Sequence, residues 1–139
     1  MNRRDFMYLT AAVSLAMPSL AMPGMALAGT AFSPELLQAE LAAGKTVMLD
    51  FTASWCISCQ SQGRAIDALR AENPGYDSAI TFLDLDWDTY KGSEIAKLYG
   101  VTSRGSLVIL RGEKILKQTF SHSSKADLKA MLDQAAAAV

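Results

Sequence analysis

The chain has 139 residues, enough for one ordinary globular domain and too few for two. Half of the residues are hydrophobic and 19% are charged, which is typical of a globular protein and excludes a disordered or fibrous one. The formal net charge is −1 and no run of lysine or arginine occurs, so nucleic-acid binding is not expected.

The first 28 residues have the parts of an export signal. Two arginines stand near the start, an uncharged apolar stretch follows, and the small residues Ala26 and Ala28 flank Leu27 at its end. The sequence RRDFM at residues 3–7 resembles a twin-arginine signal. That resemblance implies that the protein crosses the membrane already folded.

The segment is expected to be removed as a signal peptide. Cleavage after Ala28 leaves residues 29–139 as one domain in the periplasm, an oxidising compartment where a cysteine pair can form a disulfide. The alternative is a retained membrane helix over residues 6–28. Pro18 and Pro23 interrupt that stretch, and the small residues at its end favour cleavage.

Helices and strands alternate along the rest of the chain. Ser33 is placed to cap a helix, and the apolar residues 46–51 predict a strand that is buried on both faces. The elements predicted after them are a helix over 56–71, a strand over 80–85, a short helix over 93–99, strands over 107–110 and 114–120, and a helix over 125–137. This order predicts one α/β domain with a mixed sheet of about four strands and helices on both faces.

Cys56 and Cys59 stand where a strand gives way to a helix, and they are the only cysteines of the chain. Cysteines three residues apart at a helix start are close enough to form a small disulfide ring. The unpaired N–H groups and the positive dipole end of a helix stabilise a thiolate there. We expect Cys56, the first and the more exposed of the two, to be the attacking sulfur and Cys59 to be the resolving one.

The cysteine pair has other possible uses. A structural disulfide that encloses two residues stabilises little. A closed zinc site needs four ligands, whereas the chain offers only its two cysteines and its one histidine, His122. A carrier that holds copper or another soft metal through the two thiolates, with or without His122, stays open as the alternative function.

The stretch from Val47 to Cys59, VMLDFTASWCISC, resembles the active-site strand and helix start of the thioredoxin superfamily, including the tryptophan before the first cysteine. The resemblance implies a thioredoxin-like three-layer sandwich. It also implies a thiol–disulfide oxidoreductase that exchanges electrons with disulfides of proteins or small molecules, with reduction favoured. The upstream dithiol donor could be a membrane disulfide reductase, since the chain has no pyridine-nucleotide motif. We expect a monomer without a cofactor.

The same resemblance assigns roles to four further residues. Asp50 matches the buried acid of the family, which assists proton transfer to and from the inner thiol; burial in an apolar strand raises the pKa of a carboxyl. Trp55, Arg104 and Gly105 are predicted to line the substrate groove. The backbone of Arg104 and Gly105 is expected to pair with an extended peptide.

The chain departs from the family at two positions. Gly105 stands where the family has a cis-proline, and a cis bond before another residue costs roughly 3–4 kcal/mol, so a trans bond is expected. Because the proline is absent, we expect the sulfurs of Cys56 and Cys59 to be less shielded and open to a soft metal. Asp84 stands where many thioredoxins have a basic residue, and if it lies near Asp50 their like charges raise a pKa. His122 is expected to be an exposed loop residue, with a role near Cys56 as the alternative.

Overall fold

The computed structural model describes residues 29–138, so the predicted signal segment lies outside the described residues. Helices and strands follow one another in the predicted order, with boundaries that differ by one or two residues. The strands are β1 (Thr30–Ala31), β2 (Thr46–Thr52), β3 (Ile80–Asp86), β4 (Leu107–Arg111) and β5 (Lys114–Thr119). The helices are α1 (Pro34–Ala42), α2 (Ile57–Glu72), α3 (Gly75–Ala79), α4 (Trp87–Tyr90), α5 (Glu94–Leu98) and α6 (Lys125–Ala137).

The strands form one mixed sheet in the order β1-β3-β2-β4-β5. β3 is parallel to both β1 and β2, whereas β4 is antiparallel to β2 and to β5. The sheet has five strands where about four were predicted, because the two residues of β1 pair with the edge of β3. The predicted α/β sandwich with a mixed sheet is confirmed.

Two apolar cores lie on opposite faces of the sheet. Alternate residues of β2 point to each of them, with Met48 on one face and Leu49 on the other, as expected for a strand covered on both sides. α2, α3 and α6 cover the first face, and α1, α4 and α5 cover the second. Asp50, two residues after Met48, therefore lies on the face that α2 covers.

Two short helices escaped the sequence analysis. The run Asn73-Pro74-Gly75 follows the end of α2, and its Pro74 is the N-cap of α3. α4 starts directly after β3 because the Asp86 carboxylate accepts a hydrogen bond from the Thr89 N–H, at 3.2 Å. Helices of four or five residues are too short to show a helical period.

Three chain segments meet at one end of the sheet. β2 ends there before the turn that leads into α2, and Asp50 near that end is in register with Leu107, the first residue of β4. Leu107 is in turn paired with Thr119, the last residue of β5. The loops before β4 and after β5 therefore reach the start of α2. Within the described residues, no helix is long and apolar enough to cross a membrane.

Candidate active site

Cys56 caps the helix that carries Cys59. Its backbone is extended, and its Sγ accepts a hydrogen bond from the Cys59 N–H at 3.3 Å, which satisfies one of the free amides at the start of α2. Sγ also lies 3.4 Å from the Ser58 hydroxyl oxygen. Both cysteines are free thiols in this structure. The predicted placement of the pair at the tip of a helix is therefore present.

Both cysteines are buried, and Cys56 is only slightly the more exposed of the two. Its exposed fraction is 3% and that of Cys59 is 2%. Arg104 contributes to the cover over Cys56: its Nε donates a hydrogen bond to Cys56 Sγ at 3.3 Å, and its guanidinium carbon lies 4.8 Å from the centroid of the Trp55 ring. The expectation of less shielded sulfurs is wrong, because both cysteines are buried although the proline is absent.

Hydrogen bonds make Cys56 the more acidic thiol. Burial raises its pKa, but hydrogen bonds with the Cys59 thiol, the Ser58 hydroxyl, the Cys59 N–H and the Arg104 guanidinium outweigh burial and lower it to about 6. Burial and the hydrogen bond with Cys56 raise the pKa of Cys59 to about 11. At neutral pH Cys56 is a thiolate and Cys59 holds a proton. This suits an attacking and a resolving sulfur, although the catalytic roles themselves remain predictions.

Asp50 lies behind the cysteines on β2, with an exposed fraction of 8%. Its Oδ1 has no hydrogen-bond partner among the described residues. It lines a cavity of about 260 Å³ together with Cys59, Asp67 and Asp84. Burial first, and then the charges of Asp84 and Asp67, raise its pKa to about 8.

The structure brings Asp84 beside Asp50, as the sequence analysis considered. The two residues are paired in register on β3 and β2, so their side chains share a face of the sheet. Burial, with Asp67 as the next contribution, raises the pKa of Asp84 as well. Asp67 was missed, although it stands eight residues after Cys59, a spacing that places both on one side of α2.

Trp55 and Arg104 form the walls of an open groove over Cys56. The Trp55 ring is 55% exposed, and its Nε1 donates a hydrogen bond to Asp88 Oδ2 at 2.7 Å. The groove has a volume of about 640 Å³, and its lining also includes His122. The structure therefore places Trp55 and Arg104 at the predicted substrate groove.

Gly105 was predicted to line the groove as well, but it is buried and does not belong to the groove's lining. Its backbone has a φ of +81°, and the bond from Arg104 is trans, as expected and like every peptide bond in the described part of the chain. Its N–H donates to the Phe51 carbonyl at 2.7 Å, and its carbonyl accepts from Gln62 Nε2 at 3.1 Å. Both polar groups of the Gly105 backbone thus have partners within the chain, and pairing of the Arg104–Gly105 backbone with an extended peptide stays a prediction.

Gln62 is a site residue that the sequence analysis missed. It is 1% exposed, and its Oε1 accepts a hydrogen bond from the Ser123 N–H at 2.7 Å while its Nε2 binds Gly105. One amide thus joins the loop before β4 to the loop before α6. A signal was present: Gln62 falls on the buried stripe of α2 between Cys59 and Ile66, where an amide is costly unless it is fully hydrogen-bonded.

His122 is exposed and borders the groove, as expected for a loop residue near Cys56. Within residues 29–138, no group of three or more histidine, cysteine, aspartate or glutamate side chains is placed to hold a metal ion.

Known proteins are similar to this chain along most of its length. The family model described as Thioredoxin matches residues 25–134. A thioredoxin from Chlorobaculum thiosulfatiphilum is 33% identical over 78 residues, 56% of this chain and 68% of that protein. A thioredoxin from Echinococcus granulosus is 30% identical over 77 residues, 55% of this chain and 66% of that protein.

Solved structures show the same fold. Trxlp from Edwardsiella tarda superposes with a TM-score of 0.65 at 21% identity, over 74% of this chain and 96% of that one. The germline-specific thioredoxin Deadhead from Drosophila melanogaster superposes with a TM-score of 0.59 at 27% identity, over 72% of this chain and 90% of that one.

Proposed function

The chain belongs to the thioredoxin family and is a thiol–disulfide oxidoreductase, and we propose that it reduces disulfides outside the cytoplasm. The observation that carries the proposal is the unequal pair of thiols, with Cys56 at a pKa of about 6 in front of Cys59 at about 11. A value near 6 is closer to the ~7 of thioredoxin than to the ~3.5 of a strongly oxidising disulfide donor, which supports reduction.

The reaction follows from this pair. The Cys56 thiolate attacks one sulfur of a substrate disulfide, the substrate S–S bond breaks, and the other substrate sulfur leaves as a thiolate that takes up a proton. Cys59 gives its proton to the ionised form of Asp50 and attacks Cys56, so the first substrate sulfur leaves as well. The substrate gains two electrons and the protein is left with a Cys56–Cys59 disulfide. An upstream dithiol must then reduce that disulfide.

Insulin reduction driven by dithiothreitol tests the activity. Cys56→Ser should abolish the stimulation, whereas Cys59→Ser should accumulate a mixed disulfide between Cys56 and the substrate. Stimulation by Cys56→Ser equal to that of the unmodified protein would rule the mechanism out. Equilibration with glutathione tests the direction. A potential below about −200 mV fits a reductase, and one near about −120 mV fits an oxidant.

Export belongs to the same proposal. The RRDFM sequence at residues 3–7 and the small residues Ala26 and Ala28 support a twin-arginine signal and a periplasmic location. Residues 1–28 fused to a reporter that is active only after folded export should deliver it to the periplasm. Replacing both arginines with lysine should stop delivery, and a reporter that stays inside in both cases would contradict the proposal.

The partners are a substrate disulfide and a dithiol donor. A membrane disulfide reductase is the donor that we propose, because a periplasmic protein lies beyond the reach of cytoplasmic nucleotide-driven reductants. Expression of Cys59→Ser in the native compartment should trap Cys56 in mixed disulfides with either partner. Recovery of the variant with no bound partner under conditions that preserve disulfides would contradict the assignment.

A further inference from the structure

Arg104 lies directly against Cys56 at the groove. Cys56 is only 3% exposed, the Arg104 Nε lies 3.3 Å from its Sγ, and the guanidinium carbon lies 4.8 Å from the centroid of the Trp55 ring. A disulfide cannot reach the sulfur for in-line attack while the guanidinium stays there. A wall of the groove must therefore move before the reaction.

Arg104 is the wall that can move. Trp55 is held by its hydrogen bond to Asp88 at 2.7 Å, whereas Arg104 is exposed and stands on a loop at the end of a long side chain. One hydrogen bond to Cys56 Sγ and the contact with the Trp55 ring hold the guanidinium in place. The substrate that enters must offer the guanidinium a replacement for the contacts that it gives up.

The change in charge at Cys56 during the reaction indicates what that replacement is. Before the reaction, the guanidinium faces the negative charge of the Cys56 thiolate. When Cys56 joins the mixed disulfide, this charge departs with the leaving sulfur of the substrate, and the guanidinium loses its anionic partner. A carboxylate beside the substrate disulfide supplies a new anionic partner, and it can accept two parallel hydrogen bonds from the guanidinium. His122, which borders the same groove, is not an anion, and the carboxylate of Asp88 already accepts a hydrogen bond from Trp55 Nε1.

We infer that Arg104 is a specificity-determining residue, which selects disulfides that carry an anionic group next to the reacting sulfur. The inference rests on the proposed function and names its substrate class. Two sources can supply this chemistry: a small acidic disulfide, or a disulfide in an acidic stretch of a protein. The reaction is the one given above, and the anionic group binds Arg104 without being changed.

Single-turnover reduction by the full, reduced protein tests this inference. Three small disulfides differ only in charge: 3,3′-dithiodipropionate is anionic, 2-hydroxyethyl disulfide is neutral and cystamine is cationic. Two disulfide-bridged peptides, with glutamate or glutamine beside each cysteine, represent the protein source. Each rate is divided by the rate of the same disulfide with 2-mercaptoethanol, which removes its intrinsic reactivity. The anionic disulfide should then react roughly tenfold faster than the neutral one, and the advantage should shrink as salt is added.

Arg104→Gln separates recognition from reactivity. It should slow every disulfide, because Cys56 loses a hydrogen bond, but the ratio of the anionic to the neutral rate should fall to about one. Arg104→Lys should keep part of the ratio. Lys114→Gln, which removes one positive charge from an exposed position on β5, should leave the ratio unchanged.

The outcomes are distinct. A ratio above one in the small disulfides, in the peptides, or in both supports the inference and identifies the source. An equal ratio in Arg104→Gln and the unmodified protein, or a ratio of one in the unmodified protein, overturns the inference and leaves the proposed function intact. Failure of the unmodified protein to reduce any of the five disulfides overturns the proposed function itself.

Discussion

Asp50 and Asp84 lie side by side in register on two parallel strands, and both line the cavity behind Cys59. Burial first, and then repulsion from the neighbouring carboxylates, raise the pKa of Asp50 to about 8. Asp84→Asn removes the neighbouring charge and should lower the Asp50 pKa. Titration of the Asp50 carboxyl carbon by NMR measures this.

The control for this titration is Asp88→Asn, which removes a carboxylate that the Trp55 indole binds outside the cavity. It should leave the Asp50 midpoint where it is. An unchanged midpoint in Asp84→Asn would mean that the charge of Asp84 does not contribute to the pKa of Asp50.

The raised pKa of Asp50 makes stability depend on pH. The unfolded chain loses this proton near the ordinary pKa of 3.8, whereas the folded protein loses it near 8. Between these values the unfolded state binds fewer protons, so the free energy of unfolding falls as pH rises. Asp50→Asn removes the titrating carboxyl, so its free energy of unfolding does not fall with pH for this reason. It should be more stable than the unmodified protein by about 3–5 kcal/mol at pH 8, and the gain should shrink toward zero near pH 4.

Urea unfolding at a series of pH values checks the Asp50 prediction. The same variant should slow the second half of the reaction, in which Cys59 must lose its proton. A stability difference that does not change between pH 4 and pH 8 would show that Asp50 is not buried as a neutral acid.

Gln62→Leu should loosen both loops that border the groove. The leucine fits the apolar stripe of α2, but the Gly105 carbonyl and the Ser123 N–H each lose their partner. We expect a loss of about 1–3 kcal/mol in the free energy of unfolding, together with faster hydrogen exchange at Gly105 and Ser123. Gln134→Leu, the same change at an exposed position of α6, is the matched control. Equal exchange rates in the two variants would contradict the role of Gln62.

Restoring the family proline at position 105 should destabilise this protein. Proline fixes φ near −65°, whereas Gly105 has a φ of +81° and uses its N–H to bind the Phe51 carbonyl. We expect Gly105→Pro to cost about 2–5 kcal/mol. Gly105→Ala keeps the N–H and should cost only about 1–2 kcal/mol, from the unfavourable φ alone. Thermal or urea unfolding measures both, and a proline variant as stable as the alanine variant would refute this account of the loop.

The sequence predicted the features that depend on local patterns. The alternation of helices and strands and the cysteines at a helix start follow from periodicity, capping and spacing over a few residues. The buried Asp50 was assigned by the family resemblance. The proximity of Asp84 to Asp50 could be considered from the resemblance alone, because the register of parallel strands places matched positions together.

The features that were missed depend on contacts between distant segments. Cys56 is contacted by Arg104, which stands 48 residues further along the chain. The Gly105 carbonyl accepts its hydrogen bond from Gln62, which lies in another element. No local sequence pattern indicates contacts between segments so far apart. A polar residue within the apolar stripe of α2 was the one signal that the sequence offered for Gln62.

The central claim is that Cys56 is a thiolate at neutral pH while Cys59 is not. The rate of alkylation by iodoacetamide, measured from pH 4 to pH 11 with the modified cysteine identified by mass spectrometry, tests it most directly. Our account predicts that modification at Cys56 follows a pKa of about 6 and that Cys59 reacts only at the alkaline end of the range, with a pKa of about 11. Two cysteines that react alike, with a common midpoint near the ~8.5 of a free cysteine, would contradict it.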